Sequence, residues 1–307
     1  IADVNILGKA PTVITEFPAF SLILGDLHPH VMALPYLVLG IGIAAALYTW
    51  GADGGPRGWG AWACLGVATL SLGALGFVNT WELPTGIALG ALGFVGGRLR
   101  GGAARGRAWR DGAFLGGGLL AAAILLYLPF YQGLSTQAQG IGLTYYAKTP
   151  LRQFALCFTP WLLPALVEVA ACARALQGEG LLRRALVVWA GVVVAPWAFT
   201  AVVGGPGRLI LGLGVAALSG AAAWAFLSAA VAILAADLLF APRAPTMGVW
   251  LARAALLVGF GLAYGCEFVY LRDVFDTRMN TVFKFYYQAW VLLGVGAALA
   301  AYGQWRS

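Results

Sequence analysis

Residues 16–50 read EFPAFSLILGDLHPH (16–30) and then VMALPYLVLGIGIAAALYTW (31–50). The second half carries no acidic, basic or imidazole side chain along its whole length. A helix needs about 20 such residues to cross the hydrocarbon core of a bilayer. The first half holds the chain's only 2 histidines, beside Glu16 and Asp26 out of 12 acidic residues in all. Ionisable groups at the mouth of a membrane helix are costly to keep there, and they mark sites. One stretch therefore predicts both a membrane fold and the place where its chemistry gathers.

Further apolar runs lie at 59–78, 84–97, 112–130, 153–173, 184–203, 209–240, 248–270 and 286–303. The chain is 61% hydrophobic and 10% charged, with a mean hydropathy of +0.83, which excludes an ordinary soluble domain. The runs are continuous rather than alternating, which argues against a barrel. The expectation is an all-α, polytopic transmembrane protein of about 8–10 membrane helices. Residues 1–307 would form a single membrane domain, with 1–30 an outer-face loop containing an interfacial segment and 31–303 the transmembrane bundle. The run 84–97 is short for a crossing and leaves a tilted, re-entrant or broken helix open, and 209–240 fits one long helix or two short ones. The chain begins with Ile1, and no signal-peptide pattern surrounds Lys9 and Pro11, so the full protein is expected to start earlier. Cys64, Cys157, Cys172 and Cys266 have no metal-type spacing and fall in or near apolar runs, so buried thiols are expected rather than disulfides. Gly116-Gly117-Gly118 reads as a helix-packing surface, since no Lys-Ser/Thr follows to make a phosphate loop.

Arginine sets the orientation. Threading the runs alternately places Arg57, Arg98, Arg100, Arg105, Arg107, Arg110, Arg174, Arg183, Arg184, Arg243, Arg253 and Arg306 on one face, which should be the cytoplasm. The opposite face receives both histidines and Asp3, Glu16, Asp26, Glu82, Glu267, Asp273 and Asp276. The residues that look chemical thus converge outside, in a multi-pass protein of the plasma membrane with an extracytoplasmic functional face. The arginine loops lack aromatic interleaving, so no nucleic-acid partner is expected despite the net charge of +7.

Three constellations stand out. Phe17, Phe20, Leu22 and Ile23 suit a short helix lying in the membrane interface. Beyond it Asp26, His28 and His30 alternate, and Pro29 favours extended backbone at His28, which would point all three side chains one way. Asp-x-His-x-His suits ligating a divalent metal ion, clamping a phosphate or supplying a general base. The plainer reading has Asp26 capping the next helix and the histidines facing headgroups. The second constellation, Asn79-Thr80-Trp81-Glu82-Leu83-Pro84-Thr85, places Pro84 where a helix begins. It is either a simple helix–helix turn or a place where Asn79 and Glu82 hold a basic group or a sugar hydroxyl. The third runs from Glu267 to Trp290. Arg272, Arg278 and Lys284, with Asn280, Tyr286, Tyr287 and Gln288, would suit a lipid-linked phosphate, Arg278 binding it bidentately. Alternatively Asp273 and Asp276 neutralise those cations. A weaker region, 131–149, is rich in Gln, Tyr and Gly and suits sugar stacking as well as any outer loop. Glu168 and Asp237, in apolar surroundings, are functional or helix-end residues.

Glu16-Phe17-Pro18, Gly25-Asp26-Leu27-His28-Pro29-His30, Asn79-Thr80-Trp81-Glu82-Leu83-Pro84-Thr85 and Arg278-Met279-Asn280-Thr281-Val282-Phe283-Lys284-Phe285-Tyr286-Tyr287-Gln288-Ala289-Trp290 together resemble the "YYY" membrane protein family, also called DUF2298, met in Chloroflexi-type bacteria and archaea. The resemblance runs through nearly the whole chain in the same order. It implies a GT-C-like fold and a membrane glycosyltransferase that uses a polyprenyl-phosphate sugar donor. It implies that Asp26 is the catalytic carboxylate, with Glu16 the runner-up, although Gly25 stands where an adjacent acid would complete the usual pair. His28 and His30 would then bind a metal or the lipid phosphate, and Arg278 with Lys284 the leaving phosphate. Partners would be membrane lipid, the lipid-linked donor and, in an alternative non-enzymatic reading as an accessory subunit, other membrane subunits. A transporter would want inverted repeats, and no convincing repeat is present.

Overall fold

The computed structural model describes residues 18–25, 27–55, 57–135, 139–240 and 245–306. Glu16 and Asp26 lie outside them. The helices open with α1 (Pro18–Ile23), α2 (Pro29–Met32), α3 (Leu34–Ala52) and α4 (Gly58–Val78). A 3₁₀ turn over Thr80–Glu82 leads into α5 (Leu83–Arg100), α6 (Arg105–Leu126) and α7 (Leu128–Gly133). The second half holds α8 (Leu151–Ala175), α9 (Glu179–Val215), α10 (Ala221–Phe240), α11 (Met247–Gly265) and α12 (Met279–Trp305). Two short strands, β1 (Ile141–Leu143) and β2 (Val269–Leu271), pair antiparallel with Gly142 opposite Tyr270. Among the described residues 7 helical segments are long and apolar enough to cross a membrane. In hydrocarbon every backbone amide must be satisfied within its own segment, which is why uninterrupted apolar runs become helices here.

The continuity of two runs is now visible. Residues 84–97 belong to an unbroken helix of 18 residues, α5, roughly 27 Å long at 1.5 Å per residue. The run 209–240 is one continuous helical path, because a π-turn at Ala216–Gly220 joins α9 to α10 with helical backbone on both sides. The break falls earlier, at Gly205, whose φ of 78° divides α9 in two.

The described residues group into two compact units, one drawn from 18–23, 139–240 and 259–294, the other from 24–135, 245–258 and 295–306. In the second, α3 packs along α5 at backbone distance. A side chain at Gly93, Gly97 or Gly101 would collide with the carbonyls of Ala44, Tyr48 and Ala52 respectively. Spacing of four residues puts these glycines on one face of α5, the small-residue device that lets membrane helices approach closely. Leu47, Leu72, Leu83, Ile87, Phe94, Leu119 and Ala123 form the core around that seam. Gly96 leaves room for Trp250, whose indole donates to the Leu92 carbonyl at 2.7 Å. Arg98 pairs with Asp111 of α6 at 3.2 Å. The expected packing surface at 116–118 narrows to Gly116, which faces Ala91, while Gly117 and Gly118 meet nothing. Cys64 also departs from expectation, being exposed on α4, whereas Cys172 and Cys266 are buried.

The first unit is built on rings. Phe154 stacks on Phe158 at 4.6 Å, Phe158 on Tyr286 at 5.3 Å, and Phe226 bridges Phe154 to Phe260 at 5.9 Å each. These bring α8, α10, α11 and the start of α12 together.

The seam yields a direct test. Gly97→Val should drive a side chain into the Tyr48 carbonyl and destabilise the protein by about 1–3 kcal/mol or more. Gly117→Ala, with open space around it, should leave the midpoint of denaturant-titrated unfolding in mixed micelles unchanged.

Candidate functional site

The residues expected to act fall in both units. In the second, the backbone at His28 is extended (φ −60°, ψ 142°), as the following proline requires. The alternation does not continue, because helix α2 starts at Pro29 and takes His30 into its first turn. His28 is exposed and His30 buried, with ring centroids 5.5 Å apart. His28 occupies the cap position of α2 without a cap hydrogen bond from its own side chain; Asp26, expected to cap the next helix, lies outside the described residues. Among the described residues no group of three His, Cys, Asp or Glu comes together; Asp26, the third member of the expected metal set, lies outside them.

At the far end of α4 the chain leaves the helix because Asn79 is extended. The Glu82 amide then donates to the Asn79 carbonyl at 2.9 Å, closing the 3₁₀ turn, and Pro84 sits in the first turn of α5. Glu82 is fully buried. Its Oε1 accepts from Asn79 Nδ2 at 3.0 Å, and its Oε2 has no hydrogen-bond partner among the described residues. Burial pushes this carboxyl up to about 8, against the smaller opposing effect of Asn79. A neutral, protonated acid in the turn follows.

In the first unit the dominant feature is a buried ion network that the sequence only half revealed. Arg278 and Glu267, both fully buried, pair at 2.9 Å. Thr149 donates to Glu267 through its hydroxyl at 2.6 Å and its amide at 3.0 Å. Arg278 also donates to Thr149 Oγ1 and to the Cys266 carbonyl, and its amide to the Tyr146 hydroxyl. Tyr286 stands 3.4 Å from Thr149 Oγ1. Lys148, equally buried, donates to the carbonyls of Thr144 and Glu267, and lies about 5 Å from the rings of Trp197 and Phe268. Gly220 closes over it: a Cβ there would overlap the Lys148 side chain, and the π-turn aims that glycine at the lysine. Burial works to raise the Glu267 carboxyl, but Arg278, Lys148 and Thr149 outweigh it and hold it below the usual carboxylate range.

Arg278 is thus paired with Glu267 rather than with Asp273 or Asp276. Asp276 instead takes Arg272 at 3.3 Å on the surface and the Tyr270 hydroxyl at 2.9 Å, which steady its left-handed backbone (φ 44°). Asp273 accepts from Asn280 at 2.5 Å. Tyr287 is bonded to Ser21 of α1 at 2.6 Å, so this short helix is fastened to α12. Lys284 is half-buried on α12 and shows no ion pair among the described residues. Lys148 and Thr149 carried the least signal. A lone lysine in a Tyr/Gly-rich loop looks like a solvated charge until the topology folds it inward.

A family model described as "Uncharacterized membrane protein (DUF2298)" matches residues 5–293. No curated protein and no solved structure matches the chain.

Two measurements probe these geometries. Removing one partner of the buried pair, as in Glu267→Ala, should cost about 3–5 kcal/mol, because Arg278 is left charged and dry. Glu267→Ala/Arg278→Ala together should cost less than the sum of the singles in a double-mutant cycle. For Glu82 the folded-state proton affinity is raised, so its contribution is complete below the unfolded carboxyl range near pH 4.5 and is lost as pH climbs towards 8. Unfolding midpoints should fall across that window, and Glu82→Gln should flatten the slope.

Proposed function

The chain belongs to the DUF2298 family of membrane proteins, and from that premise we propose that it is a GT-C-type glycosyltransferase. It moves a sugar from a polyprenyl-phosphate donor to an acceptor hydroxyl at the outer face of the plasma membrane. The acceptor oxygen attacks the anomeric carbon, the bond from that carbon to the phosphate oxygen breaks, and the lipid phosphate leaves with the electron pair. Asp26 takes the acceptor proton, with Glu16 the second candidate for that role. His28 and His30 orient the acceptor or hold a phosphate; together with Asp26 they are also the donor set that a divalent metal would use.

The observation that carries the reading is the difference between the two cations of the last motif. Arg278 is already neutralised by Glu267 in the dry interior, whereas Lys284 shows no ion pair among the described residues. Lys284 is therefore the residue assigned to the lipid phosphate, where an ammonium stabilises charge that grows as the sugar departs. Tyr286 and Tyr287 act at one remove, by fixing α12 through Thr149 and Ser21. Arg272, exposed and paired with Asp276, is left for contacts with the donor's headgroup.

The outer placement rests on the arginines. The connections after α3, α5 and α8 carry or adjoin Arg57, Arg98, Arg100, Arg105 and Arg174. The alternate connections, after α4 and α11, carry Glu82, Glu267, Asp273 and Asp276. An excess of arginine on one set of loops marks the cytoplasmic side.

Asp26→Ala should abolish transfer from a lipid-linked sugar in proteoliposomes while leaving the unfolding midpoint in place. Lys284→Ala should raise KM for the donor about tenfold or more. Wild-type turnover in Asp26→Ala would overturn the assignment of Asp26, and an absence of transfer by the wild type itself would favour an accessory subunit in a larger membrane complex.

A further inference from the structure

Between Arg184 and Asp237, a stretch that takes in most of α9 and α10, Arg208 is the one charged residue. It follows the break at Gly205, and its place is held from several sides. A Cβ at Gly204 would stand 2.6 Å from the Leu143 side chain and 3.1 Å from Arg208 Cδ, so the arginine stem lies over that glycine beside the end of β1. About one helical turn further on, Gly212 makes the same room for Tyr145 and Trp197, whose side chains a Cβ would meet at 3.5 and 3.1 Å. The guanidinium lies over the Tyr145 ring, 5.3 Å from its centroid, and Tyr146 meets that ring edge-on at 5.6 Å. Yet Arg208 is exposed and makes no hydrogen bond or ion pair among the described residues. Val202, Val203, Ile210 and Leu213, close to it along the chain, are exposed as well. We propose that Arg208 and Tyr145 form a binding site for the phosphate of an anionic phospholipid, whose acyl chains cover those four apolar side chains.

The chemistry selects that class. An arginine set among exposed apolar side chains in a membrane protein keeps its stem on apolar surface and carries its head to the water boundary. The anions held at that depth beside acyl chains are lipid phosphates. A guanidinium offers a planar fork that matches two phosphate oxygens at once, which an ammonium cannot do. Its contact with Tyr145 engages the face of a ring rather than an acceptor atom, so every N–H donor of Arg208 remains for the ligand. Stacking also holds the fork in place, which lowers the ordering cost of binding. Arg278 shows the contrast, since its donors are spent on Glu267, Thr149 and the Cys266 carbonyl. Inorganic phosphate has the same oxygens but no chains, and would leave Val202, Val203, Ile210 and Leu213 uncovered. The inference goes beyond the transferase reading and does not rest on it: the lipid is resident, and Lys284 takes no part.

The probes are phosphatidylglycerol and phosphatidylcholine, supplied in equal amounts to the full chain purified in detergent micelles, with bound lipid counted by native mass spectrometry. The wild type should retain one phosphatidylglycerol more than Arg208→Gln at the collision energy that strips the rest. In Arg208→Gln the half-saturating phosphatidylglycerol concentration for that last lipid should rise about tenfold or more, the effect of losing a charged hydrogen-bonding partner. Arg208→Lys keeps the charge and loses the fork, so its half-saturating concentration should rise too, and this variant carries the test if Arg208→Gln does not fold. Millimolar inorganic phosphate should leave the retained lipid in place. The same lipid count in Arg208→Gln as in the wild type overturns the proposal, as does an unchanged half-saturating concentration in Arg208→Lys. Equal retention of the two lipids by the wild type, or displacement of the lipid by inorganic phosphate, also overturns it.

Discussion

Inside hydrocarbon no water repairs an unmet polar group, and this constraint shapes every part of the molecule. It makes the backbone helical wherever the sequence is apolar. It also governs how those helices meet. Between lipid and leucine there is little to choose energetically, so helices associate by close fit rather than by hydrophobic expulsion. The glycines at 93, 97 and 101 supply that fit on α5, letting the backbones of α3 and α5 touch.

The same constraint makes buried charges informative. Glu267, Arg278 and Lys148 lie in the dry interior only because carbonyls, Thr149 and aromatic faces complete their shells. Such an arrangement adds little net stability over apolar packing, but losing one member is expensive. Its effect is geometric. It ties the loop 144–149 to the connection between α11 and α12 and thereby sets where α12 begins, with Asn280 and Lys284 in its opening turns. Glu82 is the opposite case, an acid that burial pushes up, with Asn79 as its one hydrogen-bond partner among the described residues.

Much of the fold was legible because it depends on one-dimensional signals. Apolar run length located the membrane helices, Pro84 marked the start of α5, and Pro29 imposed extended backbone on His28. Alternation failed at His30 because the same proline that extends its predecessor also starts a helix. The partners of the charges were less legible. Nothing local distinguishes Glu267 from Asp273 as the partner of Arg278, because the choice is made by β1 pairing with β2 and by Thr149 arriving from 118 positions away.

The transferase reading makes a chemical demand that can be met or refused directly. Purified wild-type protein in proteoliposomes, supplied with a radiolabelled polyprenyl-phosphate sugar and bacterial envelope acceptors, should release free polyprenyl phosphate with label appearing on the acceptor. Intact, folded protein that leaves the donor unconsumed across a panel of lipid-linked sugars would contradict the account.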